Sequence, residues 1–116
     1  MEKYRVVFHL GEGGKPRADM ALRNIQNIMA DLGETNVEVE LGANGEGVIA
    51  LLKVPDLHRE QVAKLLAKGV RFAGCDNTVR QMGLTKADLL DGVEVVPAGV
   101  GELVRKHAQG WAYIRP

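Results

Sequence analysis

Residues 70–83 read VRFAGCDNTVRQMG, and the change of character inside this stretch decides the fold. Val70-Arg-Phe-Ala-Gly74 is a short run, apolar or small apart from Arg71, and reads as a short strand. Asp76 to Met82 is polar around Val79 and closes at Gly83, which predicts a short helix directly after the strand. A strand feeding a helix is half of a crossover unit, and a chain built from such halves makes a parallel sheet covered by helices. Cys75 stands at the junction, at the carboxyl end of the strand.

The same alternation extends in both directions. Tyr4 to Leu10 is a compact strand-forming run ending at Gly11, and Gly11–Pro16 is a turn. Ala18, Met20, Ala21, Leu22, Ile25, Ile28, Met29 and Leu32 recur at threes and fours between Pro16 and Gly33, a helix of about four turns. Val37 to Leu41 alternates apolar and acidic residues, as in a strand with one wetter face or near a sheet edge. Val48–Leu52 is ambiguous by period alone, and its Gly47 and Pro55 brackets favour a short helix.

Asp56 is the expected cap of a further helix with Leu57, Val62, Ala63, Leu65 and Leu66 on its inner face, closed by Gly69. Thr85-Lys-Ala-Asp88 has the form of a capping box. Val93–Val96 is a fourth strand stopped by Pro97, Val100–Gln109 a helix ended by Gly110, and Trp111–Ile114 a fifth strand. The expected fold is α/β, a three-layer α/β/α sandwich on a five-stranded, mostly parallel sheet, with residues 1–116 as a single domain.

Composition removes several classes of function. Lys plus Arg and Asp plus Glu number 15 each, so there is no net field to hold a nucleic acid or an anionic membrane. No apolar run approaches the ~20 residues of a membrane span, and Met1–Arg5 lacks the apolar core of a secretory leader. A cytoplasmic protein is expected. The single cysteine cannot close an internal disulfide, which suits a reducing compartment.

In open parallel sheets ligands bind outside the carboxyl ends of the strands. Here those ends carry His9, Asn44, Cys75 followed by Asp76, Asn77 and Thr78, and Gly99 after the fourth strand. Cysteine is often only a small buried hydrophobe, so Cys75 has a plain packing role as its alternative. Its strand-end position, its polar neighbours and the first amides of the following helix point instead to a modestly acidified, accessible thiol. One helix terminus is worth about 0.3 to 1 kcal/mol, under one pKa unit, so stronger activation needs a cation such as His9 or Arg80, or a neighbouring subunit.

Other signals stay silent. The loop Gly11–Pro16 matches neither the P-loop nor the dinucleotide pattern and reads as a surface turn. His9, His58 and His107 are far apart and form no zinc set with one cysteine, so neither a metal nor a cofactor is expected. Lys64, Lys68, Arg71, Arg105 and Lys106 read as solvated charges at helix ends. The layering would suit a flavin carrier, yet the Ser/Thr-rich phosphate loop is missing.

In this order of elements the chain resembles the DsrE/DsrF-like family of small α/β proteins, which includes sulfur-relay subunits and YchN-like proteins. The resemblance rests on residues 4–10, 22–27, 69–78 (Gly-Val-Arg-Phe-Ala-Gly-Cys-Asp-Asn-Thr), 99–106 and the closing Gly-Trp-Ala-Tyr-Ile-Arg-Pro. It departs from that pattern after the second strand, where Asn44 replaces a histidine or aromatic residue and no acid–base group is offered. The resemblance implies a sulfur carrier without classical turnover: Cys75 accepts sulfane sulfur as a persulfide and passes it on. It also implies a homo-oligomer, trimeric or hexameric, with separate sulfur donor and acceptor proteins. The competing expectation is a non-catalytic module of the same fold that binds a small ligand or scaffolds a partner.

Overall fold

The computed structural model describes residues 3–116; Met1 and Glu2, which open the segment read above for a leader, lie outside the described residues. The elements in order are β1 (Tyr4–Leu10), α1 (Lys15–Leu32), β2 (Val37–Ala43), a 3-10 segment (Gly45–Leu51), α2 (Arg59–Ala67), β3 (Arg71–Cys75), α3 (Asp76–Gln81), a 3-10 turn (Lys86–Asp88), β4 (Glu94–Val96), α4 (Gly99–Ala108) and β5 (Ala112–Ile114). Every strand pair is parallel and the sheet order is β4-β3-β2-β1-β5.

That order and the right-handedness of parallel crossovers decide where the helices go. From β1 to β4 the chain steps across the sheet in one direction, so α1, α2 and α3 collect on one face. The return from β4 to β5 runs the other way and carries α4 to the opposite face, where it packs on β1, β2, β3 and β5. The result is a three-layer α/β/α sandwich with very unequal outer layers.

Side-chain alternation follows from the pleat. Val6, Phe8 and Leu10 of β1, Val37, Val39, Leu41 and Ala43 of β2, and Phe72 of β3 point to the crowded face and join Ala21, Ile25 and Leu65 in the main core. Each fully buried large apolar side chain there contributes about 1.5–3 kcal/mol. The alternate residues of the same strands, among them His9, Glu40, Gly42 and Cys75, face α4. Leu103 of α4 lies 3.7 Å from where a Cβ on Gly42 would sit.

Several readings are corrected. β2 is the central strand, not an edge; its alternation reflects two different buried faces, because Glu40 is fully buried beneath α4. Lys106 is also buried, with Nζ 3.5 Å from Glu40 Oε1 and 4.5 Å from the centre of the Trp111 ring, and Arg71 is a strand residue whose Nε lies 3.7 Å from Glu40 Oε1. Asp56 does not cap α2: it sits at φ 62°, accepts from Arg59 Nε at 3.0 Å, and the N-cap is His58. Leu57, Ala63 and Met20, expected inward, are exposed. The ambiguous stretch around Val48 is a 3-10 segment, and Thr85 and Asp88 do form a capping box.

Candidate functional site

β3 and β4 are neighbours, yet the chain leaves β3 toward one face into α3 and leaves β4 toward the other into α4. This is the switch point of the sheet, the place where open parallel sheets commonly bind ligands. Cys75 is the last residue of β3 and the N-cap of α3, and Gly99 begins α4 above it. The thiol therefore stands between two helix N-termini, of which sequence alone exposes one.

The approach of α4 is close. A Cβ on Gly99 would lie 2.9 Å from Asn44 Cβ and 3.3 Å from Cys75 Cβ, so any side chain there would push α4 off the strand ends. The closeness seals the sulfur: Cys75 is only 5% exposed, against the accessible thiol expected. Burial by itself pushes the thiol pKa up. The backbone amides of Gly99, Thr78 and Asn77 and the Thr78 hydroxyl outweigh it and hold the thiol below its ordinary value. Cys75 makes no side-chain cap hydrogen bond to α3, so the α3 donors act at longer reach, as dipoles converging on one atom.

Thr78 is oriented for this task. Gly45 N–H donates to Thr78 Oγ1 at 2.9 Å, which leaves the hydroxyl hydrogen free to turn toward sulfur. Asn44 is held through its backbone, donating to Leu10 O at 3.2 Å and accepting from Gly47 N–H at 3.1 Å. Its side-chain Oδ1 accepts from His9 Nε2 at 2.8 Å, and His9 Nδ1 in turn accepts from the Tyr113 hydroxyl at 2.6 Å.

Of the residues singled out by sequence, the fold brings Cys75, Thr78, Gly99 and Asn44 together, with His9 one step behind. Asn77 contributes only its amide, since its side chain accepts from Arg80. Asp76 is turned away and pairs with Arg80 Nε at 3.0 Å. Neither expected cation reaches the sulfur: Arg80 is engaged by Asp76 and Asn77, and His9 by Asn44 and Tyr113. Tyr113 was missed, because nothing local ties it to a residue 104 positions away. Among the described residues no three of His, Cys, Asp and Glu gather in a way that could hold a metal ion.

The loop Gly11–Pro16 borders a concavity of about 20 Å³ together with Ala18, Leu57 and His58. Glu12, Glu46 and Lys15 also line it; the Glu46 side chain lies against Gly13 and Lys15 is paired with Asp19 at 2.8 Å, so the two carboxylates oppose any phosphate there. His58 is 1% exposed, its ring nitrogens make no hydrogen bond, and burial holds its pKa down.

The sequence profile of the DsrE/DsrF-like family matches residues 2–116. Among solved structures, a protein of unknown function from Methanobacterium thermoautotrophicum, MTH1491, is 44% identical and superposes with a TM-score of 0.93, covering 98% of this chain and 100% of that one. The ychN protein from E. coli is 20% identical with a TM-score of 0.79 over the whole of both chains, a likeness of fold. No curated protein matches the chain.

Proposed function

The chain belongs to the DsrE/DsrF-like family, and from that premise we propose that Cys75 is a sulfur-carrying thiol that accepts sulfane sulfur as a persulfide and passes it to a partner. The observation that carries the reading is the convergence of amides from two helices on a thiol held below its ordinary pKa. The Cys75 thiolate attacks the outer sulfur of a donor persulfide R–S–SH. A new S–S bond forms as the donor's S–S bond breaks, its electron pair leaves with R–S⁻, and the proton stays on the outer sulfur as Cys75–S–SH. Deprotonated, that outer sulfur is an anion for the same donors to stabilise. Release reverses the sequence onto an acceptor thiol. With one cysteine in the chain, donor and acceptor are other molecules, which suits transfer rather than dithiol redox work.

The burial of Cys75 supports a second reading, a ligand-binding or scaffolding module in which the thiol only packs. For the carrier, α4 must lift its first turn for sulfur to enter, a local opening far cheaper than unfolding. The experiment that separates the two is intact-mass spectrometry after exposure to glutathione persulfide. The carrier gains one sulfur atom per chain, and Cys75→Ser abolishes the gain while its thermal unfolding stays close to wild type. No gain in the wild type would leave the module.

A homo-oligomer, trimeric or hexameric, belongs to the same proposal. It is supported by Val100 and Val104, one turn apart on α4 and 59% and 67% exposed on the more thinly covered face of the sheet.

A further inference from the structure

α4 is held on the sheet by a cluster of charges that the sulfur chemistry does not use. Glu40 points from the central strand β2 into this interface and is fully buried, and neither of its carboxyl oxygens has a hydrogen-bond partner among the described residues. Lys106 Nζ lies 3.5 Å from Glu40 Oε1 and 4.0 Å from Glu102 Oε2, so one ammonium, itself buried over the Trp111 ring, serves two buried carboxyls. The two arginines at the rim do not make up the difference. Both are half-exposed: Arg71 donates to Glu94 of β4 at 2.9 Å and reaches Glu40 only at 3.7 Å, and Arg105 is engaged by Glu102. From β1 the neighbour of Glu40 is the uncharged Val7, with Arg5 and His9 two residues to either side, and β5 contributes Tyr113 beside Val7.

A carboxyl that is cut off from water and shares its one close buried cation keeps its proton where an exposed carboxyl has lost it. Burial, with the Glu102 carboxyl beside it, pushes the Glu40 pKa up to about 7. That proton belongs to the docked helix: once α4 lifts, water reaches Glu40, the two carboxyls part and the proton leaves. Glu102 ends the first turn of α4, its amide donating to Ala98 O at 3.1 Å, and Gly99 of the same turn closes over Cys75. We propose that α4 is a proton-operated latch: one proton shared by Glu40 and Glu102 fastens the helix to the sheet, and loss of that proton loosens the turn that seals the thiol. The sign follows from linkage. The docked state binds the proton more tightly than the lifted one, so the opening constant of α4 rises with pH between 4.5 and about 7 and is level above. Glu102, held below its ordinary value, acts only below 4.5 and leaves this window untouched. Mild acid locks the thiol in and neutral pH frees it. The latch governs access to Cys75 whether the thiol carries sulfur or only packs.

Native-state hydrogen exchange of the full chain at pH 5.5 and 7.5, with each rate divided by the intrinsic chemical rate, reads the opening of α4. Its amides are expected to exchange through a smaller opening than those of the central strand β2. Their opening constant is expected to rise about twentyfold over the interval, the factor set by carboxyl values of 4.5 and about 7. Glu40→Gln, neutral throughout, and Glu102→Gln, which leaves Glu40 paired one to one with Lys106, are each expected to remove most of that rise. Alkylation of Cys75 by iodoacetamide in wild type relative to Glu40→Gln is expected to climb by a similar factor, since titration of the thiol and of His9 is common to both and cancels. An α4 opening constant that is level in the wild type, a rise that persists in both variants, or α4 amides that exchange only together with those of β2 would overturn the latch. If the latch passes these tests in a protein that takes up no sulfur from glutathione persulfide, it stands and the carrier reading falls.

Discussion

Thr78 shows how one hydroxyl links two loops to one reactive atom. It accepts from Gly45 N–H and turns its own hydrogen toward sulfur, so the second strand's loop is coupled to the thiol at the end of the third. Thr78→Val keeps the shape and removes both interactions. The expected result is an alkylation profile of Cys75 moved to higher pH and a loss of about 1 kcal/mol in urea unfolding, the ordinary worth of a hydrogen bond whose donor can turn to water. An unchanged profile would mean that the backbone amides alone hold the thiol down. Thr78, Asn77 and Cys75 were legible in the sequence because they are adjacent and because helix N-termini obey local rules. The pairing of Asp76 with Arg80 is equally local, an i, i+4 contact along α3.

At the scale of elements, α4 is fastened to the sheet by charge as well as by Leu103. Glu40 of β2 faces Glu102 and Lys106 of α4 and Arg71 of β3, and Arg105 holds Glu102 at 3.2 Å. Burial, with the Glu102 carboxyl beside it, pushes the Glu40 pKa up to about 7. Glu102, with the Glu40 carboxyl beside it and Arg105 donating to it, is held below its ordinary value, so the pair keeps one proton to near neutrality. The sign of the linkage follows. A carboxyl that holds its proton more tightly when folded contributes stability below its unfolded value of 4.5, and that contribution is lost as pH rises toward 7. Glu102 acts the other way, its contribution being lost as pH falls below 4.5. Glu40→Gln stays neutral throughout, so the stability of wild type relative to this variant is expected to fall by up to about 3 kcal/mol between pH 4.5 and 7.5. Urea unfolding of both across that range checks it, and parallel curves would refute the shared proton. His58, which is buried and depressed on the other face, affects both proteins alike and cancels in the difference. None of this was legible beforehand: Val-Glu-Val-Glu reads as a half-wet strand until a helix from the far end of the chain covers its polar side.

For the whole molecule, the proposed homo-oligomer predicts that Val104→Glu lowers the mass measured by light scattering while the chain stays folded; an unchanged mass would remove α4 from the contact. The sequence by itself determined that strands and helices alternate, that the sheet is parallel, and that Cys75 ends a strand and starts a helix. Those properties follow from periods of two and 3.6 residues and from turn chemistry, all of which act over a few neighbours. Only the tertiary structure decided the strand order, and with it that β3 and β4 diverge, that a second helix terminus closes over the sulfur, and that Tyr113 reaches His9 across 104 positions. The physical reason is that strand order is chosen by the burial of all five strands and their helices at once, a sum over the whole chain in which no local stretch carries the deciding term.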